Sequence, residues 1–435
     1  MTTPAAQAHG LEAPDPGAYV ADVTPLAAGE PLPLGAAATD GHLVAGRTRT
    51  VATLGSAAVL TLPSGLADPA ALRAVTAWLR AVEHHGPGEP PSPAVTAVGA
   101  FPFDPSAPAA LVVPSSTWCA DDGGGRWRVD VRRRGAPRLP AGTAGPQDPG
   151  GRGSLAGPGR PHLAEVPPAA DYAGAVATAL DDIHAGRLHK VVLSRAVEVR
   201  LPRAPSAGAL LERLWAGDTA FRPYSVPVAG GRRMVGASPE LLVSRRGSEV
   251  VSHAFAGTVA LADGDERAVD RLLASAKDRH EHRFVVEAIA TALGPRCTRL
   301  EVPESPSVVR LRSDARLGSL LAGTLRHGDT ALELLGLLHP TPAVGGVPGD
   351  AALRRIAELE PPRGFWAGAV GWVDAQGDGC WVLAIRCAVL DGTRVLVRAG
   401  AGIVADSDPK AELAETTVKL SPVLEALWPG GSALL

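Results

Sequence analysis

The sequence predicts an α+β fold built on antiparallel sheets. Three observations carry this. Strand-like runs follow one another across short turns, as at AQGDG (375–379) and DGT (391–393). Helical stretches stand beside these hairpins instead of alternating with single strands. The glycine fingerprint Gly400-Ala-Gly-Ile-Val-Ala405 follows a strand, but no returning strand comes after it, so no dinucleotide-binding βαβ unit forms there.

The elements read in order. Residues 1–20 are rich in Ala, Pro and Gly and are expected to be unfolded. VATLGSAAVLTL (51–62) is strand-like. DPAALRAVTAWLRAVEHHG (68–86) is a helix, capped by Asp68, with Pro69 in its first turn and Gly86 after its end. ALVVP (110–114) and RWRVDVRRR (126–134) are strands. Residues 135–168 are dominated by Pro and Gly, cannot build a core, and read as a surface loop. Asp171 is expected to cap a helix whose Tyr172, Val176, Ala179 and Ile183 share one face, with Gly186 as its stop. KVVLSRAVEVRL (190–201), MVGASPELLVSR (234–245) and EVVSHAFAGTVAL (249–261) read as strands, and residues 266–293 as one helix. The stretch from 365 to 404 reads as three consecutive antiparallel strands. The helix ELAETTVKLSPVLEALW (412–428) closes the chain.

Composition narrows the function. The net charge of −3 over 435 residues argues against a nucleic-acid or anionic-membrane surface as the main partner. No charged segment followed by an apolar run opens the chain, and no run of about 18 apolar residues occurs. Four cysteines without a CxxC pair fit free thiols in a reducing cytoplasm. Only four basic residues are lysine: Lys190, Lys277, Lys410 and Lys419. A lysine amine can lose its proton when buried and act as a base, whereas a guanidinium in practice does not.

Two acidic stripes stand out. Asp278 and Glu281 lie on one side of their helix, with Lys277 four before Glu281. Glu412, Glu415 and Lys419 form a second stripe. Each alone is commonly a solvated salt-bridge face. If the two faced each other, four carboxylates would share one pocket and require a cation, and an all-oxygen ligand set favours Mg²⁺. His280 and His282 are two apart, point to different sides, and form no HExxH zinc motif. Lys190 opens a strand, a position that is usually solvent-facing, and Glu240 follows a proline.

Ordered motifs then resemble the chorismate-utilising enzymes, and among them the isochorismate synthases. They are Lys190-Val-Val-Leu-Ser-Arg195, Gly236-Ala-Ser-Pro-Glu240, Ala256-Gly-Thr258, Ser275-Ala-Lys-Asp-Arg-His-Glu-His282 and His339-Pro-Thr-Pro-Ala343. Further along come Gly368-Ala-Val-Gly371, Ile385-Arg-Cys387, Ala399-Gly-Ala-Gly-Ile403 and Glu415-Thr-Thr-Val-Lys419-Leu-Ser421. Gly99-Ala-Phe-Pro-Phe-Asp104 resembles the family's upstream strand. The resemblance implies one large domain over 21–430, two antiparallel sheets packed as a sandwich with helices outside. It implies a monomer that binds chorismate and converts it to isochorismate.

The resemblance also assigns roles. Lys190 is the base that activates water for attack at C2, and Glu240 is the acid that protonates the departing C4 hydroxyl. Glu281 and Glu415 hold Mg²⁺, with Asp278 and Glu412 beside it. Arg386, Lys419 and the backbone around Gly257, Gly400 and Gly402 meet the carboxylates, and Thr258 lies beside the ring. An amine that must be neutral and a carboxyl that must be protonated form an acid/base pair displaced in opposite directions.

The chain departs from the family pattern at several positions. Arg316 stands where relatives usually carry histidine, and Trp366 where they carry Phe or Tyr. Val-Ala-Leu follows Thr258 where a Pro-Arg pair is usual. These departures leave open a chorismate-binding protein without turnover. Ala343 stands where the salicylate-forming branch tends to carry threonine, which favours stopping at isochorismate. An amination branch would need an amidotransferase partner, and the sequence is not expected to carry such a domain.

Overall fold

A computed structural model of the chain describes residues 10–434 except 28, 47, 87–93, 139–159, 216–220, 262–265 and 311–313. Among the described residues, thirteen strands form one sheet and ten form a second. Every ladder among them is antiparallel except one edge pair, where Tyr19–Pro25 runs parallel to Glu83–His85. An apolar core drawn from both sheets fills the space between them, including Leu60, Leu111, Leu193, Leu242 and Trp381.

The chain passes repeatedly from one sheet to the other. VATLGSAAVLTL is split at Gly55, so that Arg49–Leu54 joins the larger sheet and Ala58–Leu62 the smaller. MVGASPELLVSR is likewise two strands, Arg232–Ser238 and Leu241–Arg246, with Pro239 and Glu240 at the crossing. The expected three-strand run after 365 is four strands: the hairpin Ala369–Asp374/Gly379–Leu383 in the smaller sheet, and Cys387–Asp391/Arg394–Ile403 in the larger. Residues 384–386 make that crossing. Apolar residues flank each crossing closely on both sides, which is why the sequence reads as unbroken strand.

Both sheets are shared between the ends of the chain. His42–Ala45 pairs with Arg222–Val228, and Thr96–Phe101 pairs with Ala369–Asp374.

Other expectations are corrected locally. Residues 10–20 are fixed: Glu12 and Thr61 exchange backbone hydrogen bonds, and Trp78 Nε1 donates to the Pro14 carbonyl at 2.6 Å. Residues 1–9 lie outside the described residues, as does 139–159 of the Pro/Gly-rich segment. The end of that segment is no loop, since His162–Val166 pairs along Lys190–Arg200 as the sheet's edge. The helix after Asp68 runs Pro69–Ala81, with the Asp68 carboxylate accepting from Ala70 and Ala71. Helix Ala169–His184 begins at Pro168, so Asp171 sits in its first turn instead of capping it. The long helix of 266–293 breaks into Glu266–Ala274 and Ala276–Leu293. Ser275 caps the second piece by accepting from the Asp278 N–H at 3.1 Å.

The helices that carry the acidic stripes lie on different sheets. Ala276–Leu293 packs on strand Glu249–Ala260 of the smaller sheet. Ala169–His184 and Pro409–Leu427 pack on each other and on the larger sheet. Buried Arg195 ties Pro409–Leu427 to its strand, with Nε donating to Thr416 Oγ1 at 2.8 Å and Nη2 to Thr417 Oγ1 at 2.7 Å.

Candidate active site

A pocket opens between the two sheets. The larger sheet contributes Val192, Arg398, Gly400 and Gly402, and the smaller sheet contributes Phe255, Gly257, Thr258 and Arg316. Strand alternation explains the first group. Val192 pairs with Gly402 and Ser194 with Gly400, so two glycines bare this face of the sheet. Thr258 faces Arg316 across the smaller sheet, beside a bulge at Gly257, whose φ of 71° places it in the left-handed region. Glu281, Lys419, Ala343, Trp366, Glu240 and Arg386 complete the wall, so the six positions that the resemblance sets against substrate line this one pocket together with Arg316, Ala343 and Trp366.

Lys190 is not solvent-facing. It is fully buried at the start of its strand, and its Nζ makes an ion pair with Glu281 Oε1 at 3.0 Å. Glu240 sits where the chain crosses between sheets, also buried. Burial pushes its carboxyl up to about 8, against the opposing charges of Arg316, Lys190 and Lys419. The pocket wall therefore carries a carboxyl that keeps its proton at neutral pH, and a buried amine stands behind it on Glu281.

The two acidic stripes do converge on this region. Asp278 packs against Gly257, where a Cβ would approach the Asp278 Cβ to 2.8 Å, and burial raises its pKa. Glu412 is buried, with Lys277 Nζ 2.5 Å from Oε1, and among the described residues its Oε2 has no hydrogen-bond partner. Burial and then the charge of Glu415 raise the Glu412 pKa. Lys419 bridges Glu415 Oε1 at 2.5 Å and the Gly400 carbonyl at 2.9 Å. Burial opposes ionisation of Glu281, but the charges of Lys190 and Lys419 outweigh it and hold its pKa low. Among the described residues, no three ligating side chains are gathered closely enough to hold a metal as they stand. The donor set nevertheless suits a hard cation: four carboxylates near one another, two of them, Asp278 and Glu412, pushed up by burial and then by neighbouring carboxylates, and, among the described residues, a buried Glu412 oxygen without a hydrogen-bond partner. His282 serves elsewhere, with Nε2 2.8 Å from Ser319 Oγ.

Gly402 has a steric reason. A methyl group on it would overlap Glu281 Oε1 and approach Lys190 Cε to 3.1 Å. Gly402→Ala is expected to lower turnover about 100-fold by displacing both groups, with the melting temperature little changed. Steady-state rates beside a thermal melt check this.

Sequence reasoning missed two charged residues here. Asp314 is buried, and its Oδ2 accepts from Arg316 Nη2 at 2.8 Å and Arg386 Nη2 at 2.7 Å. It stands two before Arg316, on the same strand face. Arg398 stands two before Gly400, also on the same face. The period of two was the available signal. Arg386 has φ 53° at the second sheet crossing, a strained conformation for a side chain of its size, and its Nη1 donates to the Lys419 carbonyl at 2.8 Å. Trp366 is buried under Arg363, whose guanidinium lies 5.3 Å from the ring centroid.

Residues 158–428 match the chorismate-binding enzyme family. The chain belongs to that family. Curated family members include a putative isochorismate synthase MenF of Mycobacterium tuberculosis, 42% identical over 344 residues, or 76% of this chain and 86% of that one. Isochorismate synthase DhbC of Bacillus subtilis is 42% identical over 280 residues, 61% of this chain and 70% of the other. Among solved structures, a putative 2,3-dihydroxybenzoate-specific isochorismate synthase, DhbC, from Bacillus anthracis superposes with a TM-score of 0.75. It is 33% identical, and the match covers 90% of this chain and 96% of that one. The two-sheet sandwich with outer helices is the architecture of this family. Among the described residues, no helix is long and apolar enough to cross a membrane.

Proposed function

We propose that the chain isomerises chorismate to isochorismate, adding water at C2 and losing the C4 hydroxyl. The carrying observation is that Glu240, which burial holds in its acid form, shares the pocket wall with Glu281, and that buried Lys190 stands behind that wall on Glu281, near enough for its charge to act on Glu240. In its neutral form, which requires release from the ion pair with Glu281, Lys190 accepts a proton from water, and Glu240 gives one to the departing hydroxide, so that it leaves as water. The dianionic substrate needs cations, and Arg386, Lys419 and Arg316 supply them from the wall. The glycine-opened face of 400–402 lets the ring lie against the strand. Family membership and the isochorismate synthases among its relatives support the same reading.

Glu281 and Glu415 would hold Mg²⁺, with Asp278 and Glu412 beside it. Such an ion would neutralise the carboxylate cluster and bind an anionic group of the substrate. Lys190, Lys277 and Lys419 are ion-paired with Glu281, Glu412 and Glu415.

The test is full-length protein with chorismate and Mg²⁺, with products resolved by chromatography. Isochorismate alone is expected. Stripping divalent cations with a chelator is expected to remove turnover, and Mg²⁺ to restore it. Salicylate with pyruvate would move the chain to the lyase branch, and ammonia-dependent turnover to an amination branch. Chorismate binding without any product would make it a binding protein. Ala343 in the pocket wall supports a reaction that stops at isochorismate.

A further inference from the structure

We infer that Arg398 is a substrate-binding residue that takes a carboxylate of the bound dianion. This rests on the chorismate reading above. The other cations of the pocket are already balanced. Lys190 has Glu281 and Lys419 has Glu415, while Arg316 and Arg386 share Asp314. Arg398 lines the same pocket and is 7% exposed, yet it has no carboxylate within ion-pair distance among the described residues.

The carboxylate set behind Arg398 is Glu360, and its oxygens are already taken. Oε2 accepts from the Ser194 N–H at 2.6 Å and from Ser194 Oγ at 2.9 Å, and Oε1 is paired with Arg363. Among the described residues, Arg398 hydrogen-bonds only neutral groups: Nη1 donates to Ser194 Oγ at 3.1 Å, and Nη1 and Nη2 make longer contacts to the Pro361 and Pro362 carbonyls. Among the described residues its buried Nε has no hydrogen-bond partner.

A buried guanidinium without a counter-ion is costly, and protein interiors rarely retain one. A planar fork with a spare N–H, facing a pocket for a dicarboxylate, resolves that cost when the substrate arrives. The position also fits. Arg398 and Gly400 share a strand face, and Trp366 covers Gly400, with its ring end 3.0 Å from where a Cβ would lie. Arg398 therefore sits at the Trp366 end of the pocket.

The test is steady-state kinetics of the full chain with chorismate and Mg²⁺. Arg398→Gln is expected to raise KM about 10- to 100-fold, with a smaller change in kcat, because the lost contact is a charge-assisted hydrogen bond made in the ground state too. Arg398→Lys keeps the charge but loses the fork, and is expected to fall between the two. A purely structural Arg398 predicts a different split: a lower melting temperature and less active protein, with KM unmoved. An unmoved KM in either folded variant overturns the assignment and leaves the isomerase reading intact. Wild-type protein that neither binds nor turns over chorismate overturns both.

Discussion

Lys190→Arg is expected to abolish turnover while keeping the positive charge. A positioned general base contributes about 10²- to 10⁴-fold, and arginine cannot supply a neutral nitrogen at any working pH. Lys190 is fully buried and ion-paired to Glu281, so the substitution also forces a larger planar group into a packed site. A thermal melt separates the two effects. The expectation is a folded protein, somewhat less stable, that still binds chorismate but does not turn it over. Exposed Lys410 is the matched control: Lys410→Arg is expected to change neither rate nor melting temperature. Near-normal turnover of Lys190→Arg would remove Lys190 from the role of base.

Glu240→Gln is expected to cost about 10²- to 10⁴-fold in kcat, the range of a lost general acid. Its pH behaviour is the more discriminating result. Burial holds the Glu240 carboxyl up at about 8 against an ordinary value of 4.5. The acid form therefore survives at neutral pH and is lost as pH rises through about 8, so wild-type turnover should fall on that alkaline side. The residual rate of Glu240→Gln should lack this fall. Stability moves in the same direction. The folded protein keeps a proton that the unfolded chain gives up near 4.5, so this site's contribution is complete below that pH and gone above about 8. Thermal melts across that window should show a shallower decline for the glutamine variant. An alkaline fall that persists unchanged in Glu240→Gln would assign it to another group.

How much of the fold and site was legible in the sequence depends on the range over which each cause acts. Turn residues and helical spacing act locally, and they revealed the antiparallel α+β class. The sheet crossings at Gly55, Glu240 and 384–386 were hidden because apolar residues flank each one closely, and a change of strand partner leaves no periodicity of its own in the sequence. The break at Ser275 was hidden because good helix formers flank it and the capping serine reads as one more helical residue. At the site, spacing alone left Asp278/Glu281 and Glu412/Glu415 as two stripes. Whether such stripes are solvated or buried depends on the other stripe, more than a hundred residues away. The family resemblance linked them, and it led to residues that the fold gathers in one pocket. It could not lead to Asp314 or Arg398, which lie outside the family motifs and matter through charges supplied by distant strands.

The shared sheets have a consequence during synthesis. His42–Ala45 and Thr96–Phe101 leave the ribosome well before the strands that pair with them, Arg222–Val228 and Ala369–Asp374. Until then both present open edges that invite pairing with other chains. Contacts so distant along the chain make folding slow and postpone it to the end of translation. Catalysis is tied to the same event, because Glu240 and Arg386 take their places only when the chain passes from one finished sheet to the other. A truncated or nascent chain would thus carry the motifs of the enzyme without its pocket.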